Sequence, residues 1–367
     1  METATKKPIR KHRSNRKART DKRGKPVSSI ATVRDVTQIY PLLDEYEVLP
    51  WTYVHAFIGG YAKALRKHMS KQALAPHFYL ELPAGQFRRD NADYNPFIFR
   101  NGPGAYETMK KRGTPLTPRR SLRNLDHKLL ECIFAASIEL GVCDDPRFSL
   151  IKWDEIRETL PRRTLEAPDP LKIPLVENLY LRPDGRPFVI LNNETEEGLF
   201  CLFEADCDTE SDDSDYTNTI KFKVKAYLHI LAERIHTAHF GAETLKVFFI
   251  ATNEGRADKI LNRIEETITE EGFDPDLAQH INVSHTQLYR TLTEEEKPEK
   301  PGGHMFTRAW RRARKFKDFY LNKEGEQDGR KTDEDQKSDH RKGADRRRAR
   351  SAPRREGEAA QGPAVEG

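Results

Sequence analysis

Residues Leu171–Leu231 form the stretch that decides the fold, with the sequence LKIPLVENLYLRPDGRPFVILNNETEEGLFCLFEADCDTESDDSDYTNTIKFKVKAYLHIL. Two short apolar runs, Pro187–Leu191 and Leu199–Phe203, predict neighbouring buried strands. The polar segment Asn192–Gly198 between them has the composition of a turn. Thr219–Leu231 has the apolar periodicity of a helix. The stretch therefore predicts a strand hairpin followed by a helix.

Acidic residues lie at the edges of both predicted strands. Asp184 precedes the first strand, and Glu204 and Asp206 follow the second. Adjacent antiparallel strands lie about 5 Å apart, so carboxylates at matching heights can share one divalent cation. Lys223 and Lys225 on the following helix bring positive charge near the same acids.

This arrangement resembles the core of PD-(D/E)xK nucleases, carried here by Pro183-Asp184, a strand, and Glu204-Ala205-Asp206. The resemblance implies that Asp184 and Glu204 hold Mg²⁺ or Mn²⁺ in a catalytic site. The pattern departs at Asp206, where the family has a lysine. A helix lysine, Lys223 or Lys225, would supply that charge from elsewhere, with Lys223 acting on the attacking water and Asp206 as an additional ligand. The predicted catalytic residues are Asp184, Glu204, Asp206 and Lys223.

Composition limits the classes of protein to consider. The chain has 367 residues, 36% hydrophobic and 33% charged, with a net charge of +5. This polar balance predicts a globular middle with disordered charged ends. No apolar run is long enough to span a membrane, and the N-terminus lacks the apolar core of a signal peptide. The four cysteines have no zinc spacing, which is typical of reduced thiols in a cytoplasmic protein.

The N-terminal third predicts a disordered basic arm followed by a winged helix. Residues 1–29 are rich in Lys and Arg, which is typical of an arm that neutralises nucleic-acid phosphates or of a solvated tail. Residues 30–113 predict three helices, a two-stranded wing from Phe78 to Arg100, and a final helix. In such a module the third helix enters the major groove and the wing contacts the DNA backbone. The predicted DNA-binding residues are Lys63, Arg66, Lys67, Lys71, Arg88 and Arg89.

For residues 114–367, the sequence predicts a linker, an α/β domain and a charged tail. Residues 114–124 are a Pro- and Arg-rich linker, and residues 125–292 form a mixed sheet flanked by helices, the architecture that a PD-(D/E)xK core requires. His127 at the start of the first helix is a candidate ligand or proton shuttle, or an incidental helix-start residue. Residues 293–367 predict a mostly disordered tail with a basic aromatic helix near 305–320, which could lie on DNA, on a partner or against the core. The predicted fold is thus α+β, an N-terminal winged helix followed by a mixed-sheet α/β domain.

The order of these motifs also resembles the replication-relaxation family of plasmid and mobile-element proteins. The resemblance is carried by the segment Pro96–Gly113, His127, Arg182-Pro183-Asp184 with Phe188, Phe203-Glu204-Ala205-Asp206 with Thr209-Glu210, and Lys223 with Tyr227. It implies a winged helix joined to a nuclease-like domain that acts on DNA in plasmid replication or mobilisation. In that family the Glu-Ala-Asp triplet is the usual one.

Three functions remain open from the sequence. The first is a Mg²⁺-dependent DNA endonuclease, and the second is a non-catalytic initiator or transcriptional regulator that retains a degenerate nuclease scaffold. The third is an interaction protein that uses the acidic segment Asp206–Asp215. In the first two the expected partner is double-stranded DNA, joined by other replication or mobilisation proteins, and no membrane is involved.

Overall fold

The computed structural model describes residues 31–83, 97–118, 122, 124–176, 179–207, 219–286, 301–314 and 316–323. The predicted basic arm, the wing tip with Arg88 and Arg89, most of the acidic segment 206–215 and the tail after residue 323 lie outside these ranges. Within the ranges, no helix is long and apolar enough to cross a membrane.

The N-terminal unit (residues 31–118) combines short helices with a small antiparallel sheet. Its helices are a π-helical turn Asp35–Ile39 that leads into α1 (Tyr40–Glu45), then α2 (Trp51–Ile58), α3 (Ala62–Gln72) and α4 (Pro103–Lys111). Its strands are β1 (Leu49–Pro50), β2 (Leu80–Glu81) and β3 (Ile98–Asn101). Strand β3 lies between β1 and β2 and pairs antiparallel with both. The predicted helices and strands of this region are therefore present, each within a few residues of its predicted bounds.

The α/β unit (residues 124–323) contains a mixed sheet with helices on both faces. Its helices are α5 (Leu125–Cys143), α6 (Trp153–Glu158), α7 (Arg162–Leu165), α8 (Ile220–Ala232), α9 (Ile235–Phe240), α10 (Glu254–Glu271), a 3₁₀ helix Pro275–His280 and α11 (His304–Thr307). Its strands are β4 (Phe148–Ile151), β5 (Ile173–Pro174), β6 (Tyr180–Leu181), β7 (Phe188–Asn192), β8 (Gly198–Asp206), β9 (Leu245–Ala251), β10 (Ile281–His285) and β11 (Arg311–Arg312).

Six of these strands form one sheet in the order β4-β7-β8-β9-β10-β11. The pairs β4–β7 and β7–β8 are antiparallel, whereas β8–β9 and β9–β10 are parallel and β11 is antiparallel to β10. Strand β9 is buried along its whole length, as expected of a parallel strand covered on both faces. The α+β class with a mixed sheet is thus confirmed.

Alternation along β8 assigns each side chain to one of two hydrophobic cores. Cys201, Phe203 and Ala205 pack in the core that also contains α5, whereas Phe200 and Leu202 pack in the core that contains α8 and α10. Because side chains alternate across a strand, Glu204 and Asp206 lie on the same face as Leu202. The two acids therefore face α8 and α10.

The C-terminal segment 301–323 packs against the sheet and corrects the predicted helix near 305–320. Among the residues described in this segment, the helix is α11, and Trp310 and Phe319 pair through mutual backbone hydrogen bonds of 2.7 Å. The Trp310 ring is fully buried, 4.9 Å from the ring of Phe248 and 5.8 Å from that of Phe134. Burying these aromatic rings favours the paired conformation over the local helix propensity of a basic stretch.

The N-terminal unit contacts the α/β unit directly. The Tyr46 hydroxyl donates a hydrogen bond to Glu139 on α5, and the Cys132 thiol donates to the Tyr46 carbonyl at 2.6 Å. Lys152 Nζ lies 2.6 Å from Glu45 and 2.7 Å from Glu139. Helix α5 thus packs against both units, because it contacts α2 of the N-terminal unit and the sheet of the α/β unit.

Candidate functional site

Asp184 is positioned by a tight turn that precedes β7. At the next residue, Gly185, an added Cβ would lie 1.7 Å from the Phe203 ring, so only glycine fits. The Asp184 Oδ2 atom accepts a hydrogen bond from the Ala205 amide at 3.0 Å. The turn therefore holds the Asp184 carboxylate beside the end of β8.

Glu204 lies on β8 with no solvent exposure. The Tyr227 hydroxyl donates a hydrogen bond of 2.5 Å to Glu204 Oε1. Tyr227 lies on α8, one turn after Lys223, so both side chains extend from the same face of the helix. Helix α8 thus supplies two polar groups to one buried carboxylate.

Lys223 joins Asp184 and Glu204. Its Nζ atom lies 3.1 Å from Asp184 Oδ2 and 3.0 Å from Glu204 Oε2. The helix that carries it begins at the Thr219 cap, whose side chain accepts a hydrogen bond from the Phe222 amide. The three side chains Asp184, Glu204 and Lys223, which we call the acid–lysine cluster, therefore converge as predicted. The other candidate amine, Lys225, is exposed and pairs with Glu271 at 2.7 Å.

His127 adds a second polar layer on the side of α5. Its Nε2 atom lies 3.5 Å from Asp184 Oδ1 and 3.2 Å from Glu131 Oε1. Lys128 reaches the other Glu131 oxygen at 2.7 Å. His127 is held at the start of α5 because its amide donates to the Asn124 cap. The structure therefore places the His127 side chain beside the acid–lysine cluster.

The environment separates the pKa values of the two cluster acids. Burial alone would raise the pKa of Asp184, but the Lys223 ammonium and the His127 hydrogen bond outweigh it and hold that pKa well below its usual range. Burial and the Asp184 charge raise the pKa of Glu204 well above its usual range, despite the contact with Lys223. Glu204 is therefore the acid that keeps its proton to higher pH.

His127 is a cation at neutral pH. Burial alone would lower the pKa of its imidazole, but hydrogen bonds with Asp184, Cys207 and Glu131 raise it to about 12. The Asp184 carboxylate thus has a cation on each side, Lys223 from α8 and His127 from α5.

Asp206 makes a different contact from the one predicted for an additional metal ligand. It is fully buried, and its Oδ2 atom pairs with Nε of Arg256, which is 3% exposed on α10. The backbone amide of Arg256 donates to the Asn253 cap at 2.9 Å. We call these two side chains the Asp206–Arg256 pair. Sequence reasoning assigned no role to Arg256, since it lies 50 residues from its partner.

The donors of the acid–lysine cluster fit a hard divalent cation. Among the described residues, Glu204 Oε2 is buried and lies 3.0 Å from Lys223 Nζ. No group of three or more His, Cys, Asp or Glu side chains within those ranges is arranged as a metal site. Mg²⁺ is commonly held by one or two carboxylates and keeps several waters, which matches the pair Asp184 and Glu204. Lys223 would compete with the cation for the same oxygens.

The predicted DNA-binding lysines of α3 form a stripe on the surface. Lys63, Lys67 and Lys71 are exposed at intervals of four residues, which places them along one face of the helix. Arg66, also exposed, lies over the Trp51 ring at 5.9 Å and the Phe97 ring at 5.8 Å. These aromatic contacts, which the sequence analysis did not predict, fix the Arg66 guanidinium next to the stripe.

Comparison with models of known families finds no match to this chain, and no curated protein or solved structure matches it either.

Proposed function

We propose that this chain is a duplex-DNA-binding protein of plasmid or mobile-element replication or mobilisation, and that its α/β unit carries a metal-dependent endonuclease site that nicks DNA. The observation that carries the proposal is the convergence of Asp184, Glu204 and Lys223 within 3.1 Å. The replication or mobilisation context depends on the resemblance to the replication-relaxation family.

The N-terminal unit supports DNA binding. Its order of elements and its sheet order β1-β3-β2 suit a winged helix, in which α3 is the third helix and the segment between β2 and β3 is the wing. The exposed stripe of lysines on α3 is the surface that would meet phosphates and base edges.

The α/β unit supports nuclease chemistry. The order of its elements suits a PD-(D/E)xK core: helix α5 is followed by strands β4, β7 and β8, then by helix α8 and strand β9. Asp184 precedes β7 and Glu204 lies near the end of β8, as that pattern requires. Lys223 on α8 occupies the role of the lysine that the pattern places on the strand.

Each residue of the cluster has a defined task in this proposal. Asp184 and Glu204 would hold Mg²⁺ or Mn²⁺, which when bound lowers the pKa of a water and stabilises charge on the scissile phosphate. The Ala205 amide orients Asp184, and the Tyr227 hydroxyl orients Glu204. Lys223 Nζ, adjacent to both carboxylates, is placed to orient the attacking water and to contact a phosphate oxygen.

Nicking of supercoiled plasmid in Mg²⁺ or Mn²⁺ tests the proposal. Wild type should nick, and Asp184→Ala should lower the rate by at least about 100-fold, since even indirect changes around a metal cost 10- to 100-fold. Asp154→Ala is the matched control, because Asp154 is a nearby acid whose side chain is 84% exposed. Equal nicking by wild type and Asp184→Ala would exclude this site.

A second function is favoured by the cations already present around Asp184. Lys223 and His127 both contact its carboxylate, so the charge that would attract a divalent cation is partly neutralised. A non-catalytic initiator or regulator would bind DNA with steep salt dependence, and Asp184→Ala and Glu204→Ala would leave that affinity unchanged. Intact binding with no cleavage in any metal supports this function over the nuclease. Absence of any mobility shift at low salt would favour an interaction protein instead.

A further inference from the structure

Arg66 on α3 lies beside two aromatic side chains of the N-terminal unit. Its guanidinium carbon lies 5.9 Å from the centre of the Trp51 ring and 5.8 Å from that of the Phe97 ring. A guanidinium over an aromatic face is attracted by the negative potential of the ring. The two rings, which we call the Trp51–Phe97 bracket, therefore restrict the orientation of the Arg66 guanidinium.

The bracket is built on backbone that is itself fixed. The Trp51 amide donates a hydrogen bond of 2.9 Å to the Phe97 carbonyl, directly beyond the β1–β3 pair of Pro50 with Ile98. The Phe97 ring also contacts the ring of Phe99, which is fully buried, edge to face at 6.4 Å. The bracket thus joins the start of α2 to β3, the strand that follows the predicted wing.

Arg66 has no acidic partner within the residues that the structure describes, and its contacts there are the two rings of the bracket. It is exposed to solvent, whereas Leu65 and Met69 are buried and anchor α3. A guanidinium carries five N–H donors in a planar fork, and contact with a ring face uses the plane of the fork and not its edges. Arg66 therefore presents N–H donors of restricted direction at the surface of α3.

A guanidinium of restricted direction suits a ligand that has two hydrogen-bond acceptors side by side. Duplex DNA offers two such groups, the O6 and N7 atoms of guanine in the major groove and the oxygens of a phosphate. An ammonium group binds a phosphate as a point charge, and the exposed Lys63, Lys67 and Lys71 already provide three such groups on the same helix. A base edge is rigid, so it benefits most from a donor that is also held in place.

From this geometry we infer that Arg66 recognises a guanine base of the DNA site, and that Trp51 and Phe97 are positioning residues that hold its guanidinium. The lysines of the stripe then contact phosphates, which carry no sequence information. The inference rests on the proposed function, since it assumes that α3 lies in the major groove. It adds the kind of sequence that the protein selects, a site with a guanine opposite Arg66.

Selection from a pool of duplexes of randomised sequence, in EDTA, tests the inference in the full-length protein. Wild type is compared with Arg66→Lys, which keeps the charge but loses the fork, and with Arg112→Lys, the same change at an exposed arginine that ends α4. Anisotropy then measures the affinity for the best duplex and for its guanine-to-adenine variant. Wild type and Arg112→Lys should prefer guanine at one position by about 10- to 100-fold, and Arg66→Lys should lose most of this preference.

The outcomes separate this inference from the DNA-binding proposal. If Arg66→Lys keeps the preference, or weakens binding to every duplex equally, the inference is overturned and the DNA-binding proposal stands. The same holds if wild type binds DNA without preferring guanine at any position. If wild type binds no duplex even at low salt, both are overturned. Lys67→Gln is the reference for a phosphate contact, because it should weaken binding to all duplexes by the same factor.

Trp51→Leu tests the bracket without changing any charge. The slope of log affinity against log salt should therefore stay the same, whereas the preference for guanine should fall by about 3- to 10-fold, as expected for loss of a cation–π contact. Trp51→Phe retains an aromatic face and should keep most of the preference. Equal weakening of both duplexes by Trp51→Leu would mean that Trp51 only supports the fold of the unit, and would overturn its positioning role.

Discussion

Glu204 and Asp206 lie two residues apart on β8, on the same face of the sheet and with no solvent exposure, yet they meet different cations. Glu204 contacts the flexible ammonium of Lys223 on α8 and the Tyr227 hydroxyl. Asp206 contacts the rigid guanidinium of Arg256 on α10. The acid–lysine cluster and the Asp206–Arg256 pair are therefore neighbours with different partners.

The difference lies in how each acid can respond when its surroundings change. Glu204 has a raised pKa and can remain neutral by keeping a proton, and its Lys223 partner also serves Asp184. Asp206 is held by an arginine, which stays charged at any ordinary pH. The protonation of the cluster can therefore change with pH, whereas the arginine of the pair stays charged.

Breaking the Asp206–Arg256 pair should have the largest effect. Arg256→Leu leaves a buried carboxylate without its cation, and we expect a loss of about 3–5 kcal/mol in the free energy of unfolding, measured by urea denaturation. Adding Asp206→Leu should recover much of that loss, because both charges are then removed. If the double variant is as unstable as Arg256→Leu, the cost comes from lost packing and not from the unpaired charge.

Removing the amine from the cluster should strengthen metal binding. Lys223→Met deletes a cation that competes for Asp184 and Glu204, so we expect about tenfold tighter Mg²⁺ binding, which corresponds to about 1.4 kcal/mol. Isothermal titration calorimetry measures this affinity, with Lys225→Met as the control on the same helix. The same Lys223→Met variant should lose nicking activity. Unchanged Mg²⁺ affinity would mean that the metal does not bind between these carboxylates.

The pH dependence of stability should distinguish Glu204 from an ordinary acid. Its pKa is raised in the folded state, so the folded protein holds this proton more tightly, and above about pH 4.5 the contribution of Glu204 to stability falls as pH rises. Glu204→Gln replaces the titrating carboxyl with an amide that does not titrate. Between pH 4.5 and pH 8 the wild type should therefore lose more unfolding free energy than the variant. Urea denaturation in EDTA at several pH values measures it. A pH-independent difference would show that Glu204 is ionised like an exposed acid.

The smallest effect is expected for the exposed pair Lys225–Glu271, which extends from the same helix as Lys223. The Lys225 side chain is 51% exposed, so its ion pair is screened by solvent. Lys225→Gln should change the free energy of unfolding by no more than about 0.5 kcal/mol. A loss near that of Arg256→Leu would show that burial does not explain the contrast between the two sites.

Several elements could be predicted because their signals are local. The run Leu245–Thr252 is apolar except for Lys246 and Thr252, and Leu245–Ala251 forms β9, which is buried at every residue. The apolar run Leu199–Phe203 lies within β8, and the acids that follow it complete the strand. The predicted helix in Met305–Tyr320 is wrong because the helical pattern is local, whereas the conformation around Trp310 depends on its packing against Phe134 and Phe248, which are distant in the chain.

The sequence by itself determined β7, β8, β9 and α8 and the positions of the acids along them, because periodicity and turn residues act over a few neighbouring positions. It also indicated Lys223, with Lys225 as the alternative, as the amine near Asp184 and Glu204. Only the tertiary structure showed that Lys223 reaches both carboxylates while Lys225 pairs with Glu271, and that Arg256 pairs with Asp206. The Lys223–Asp184 and Arg256–Asp206 contacts span 39 and 50 residues, and they depend on how α8 and α10 rotate and pack on the sheet. Packing of whole helices is a property of the complete core, which no local stretch contains.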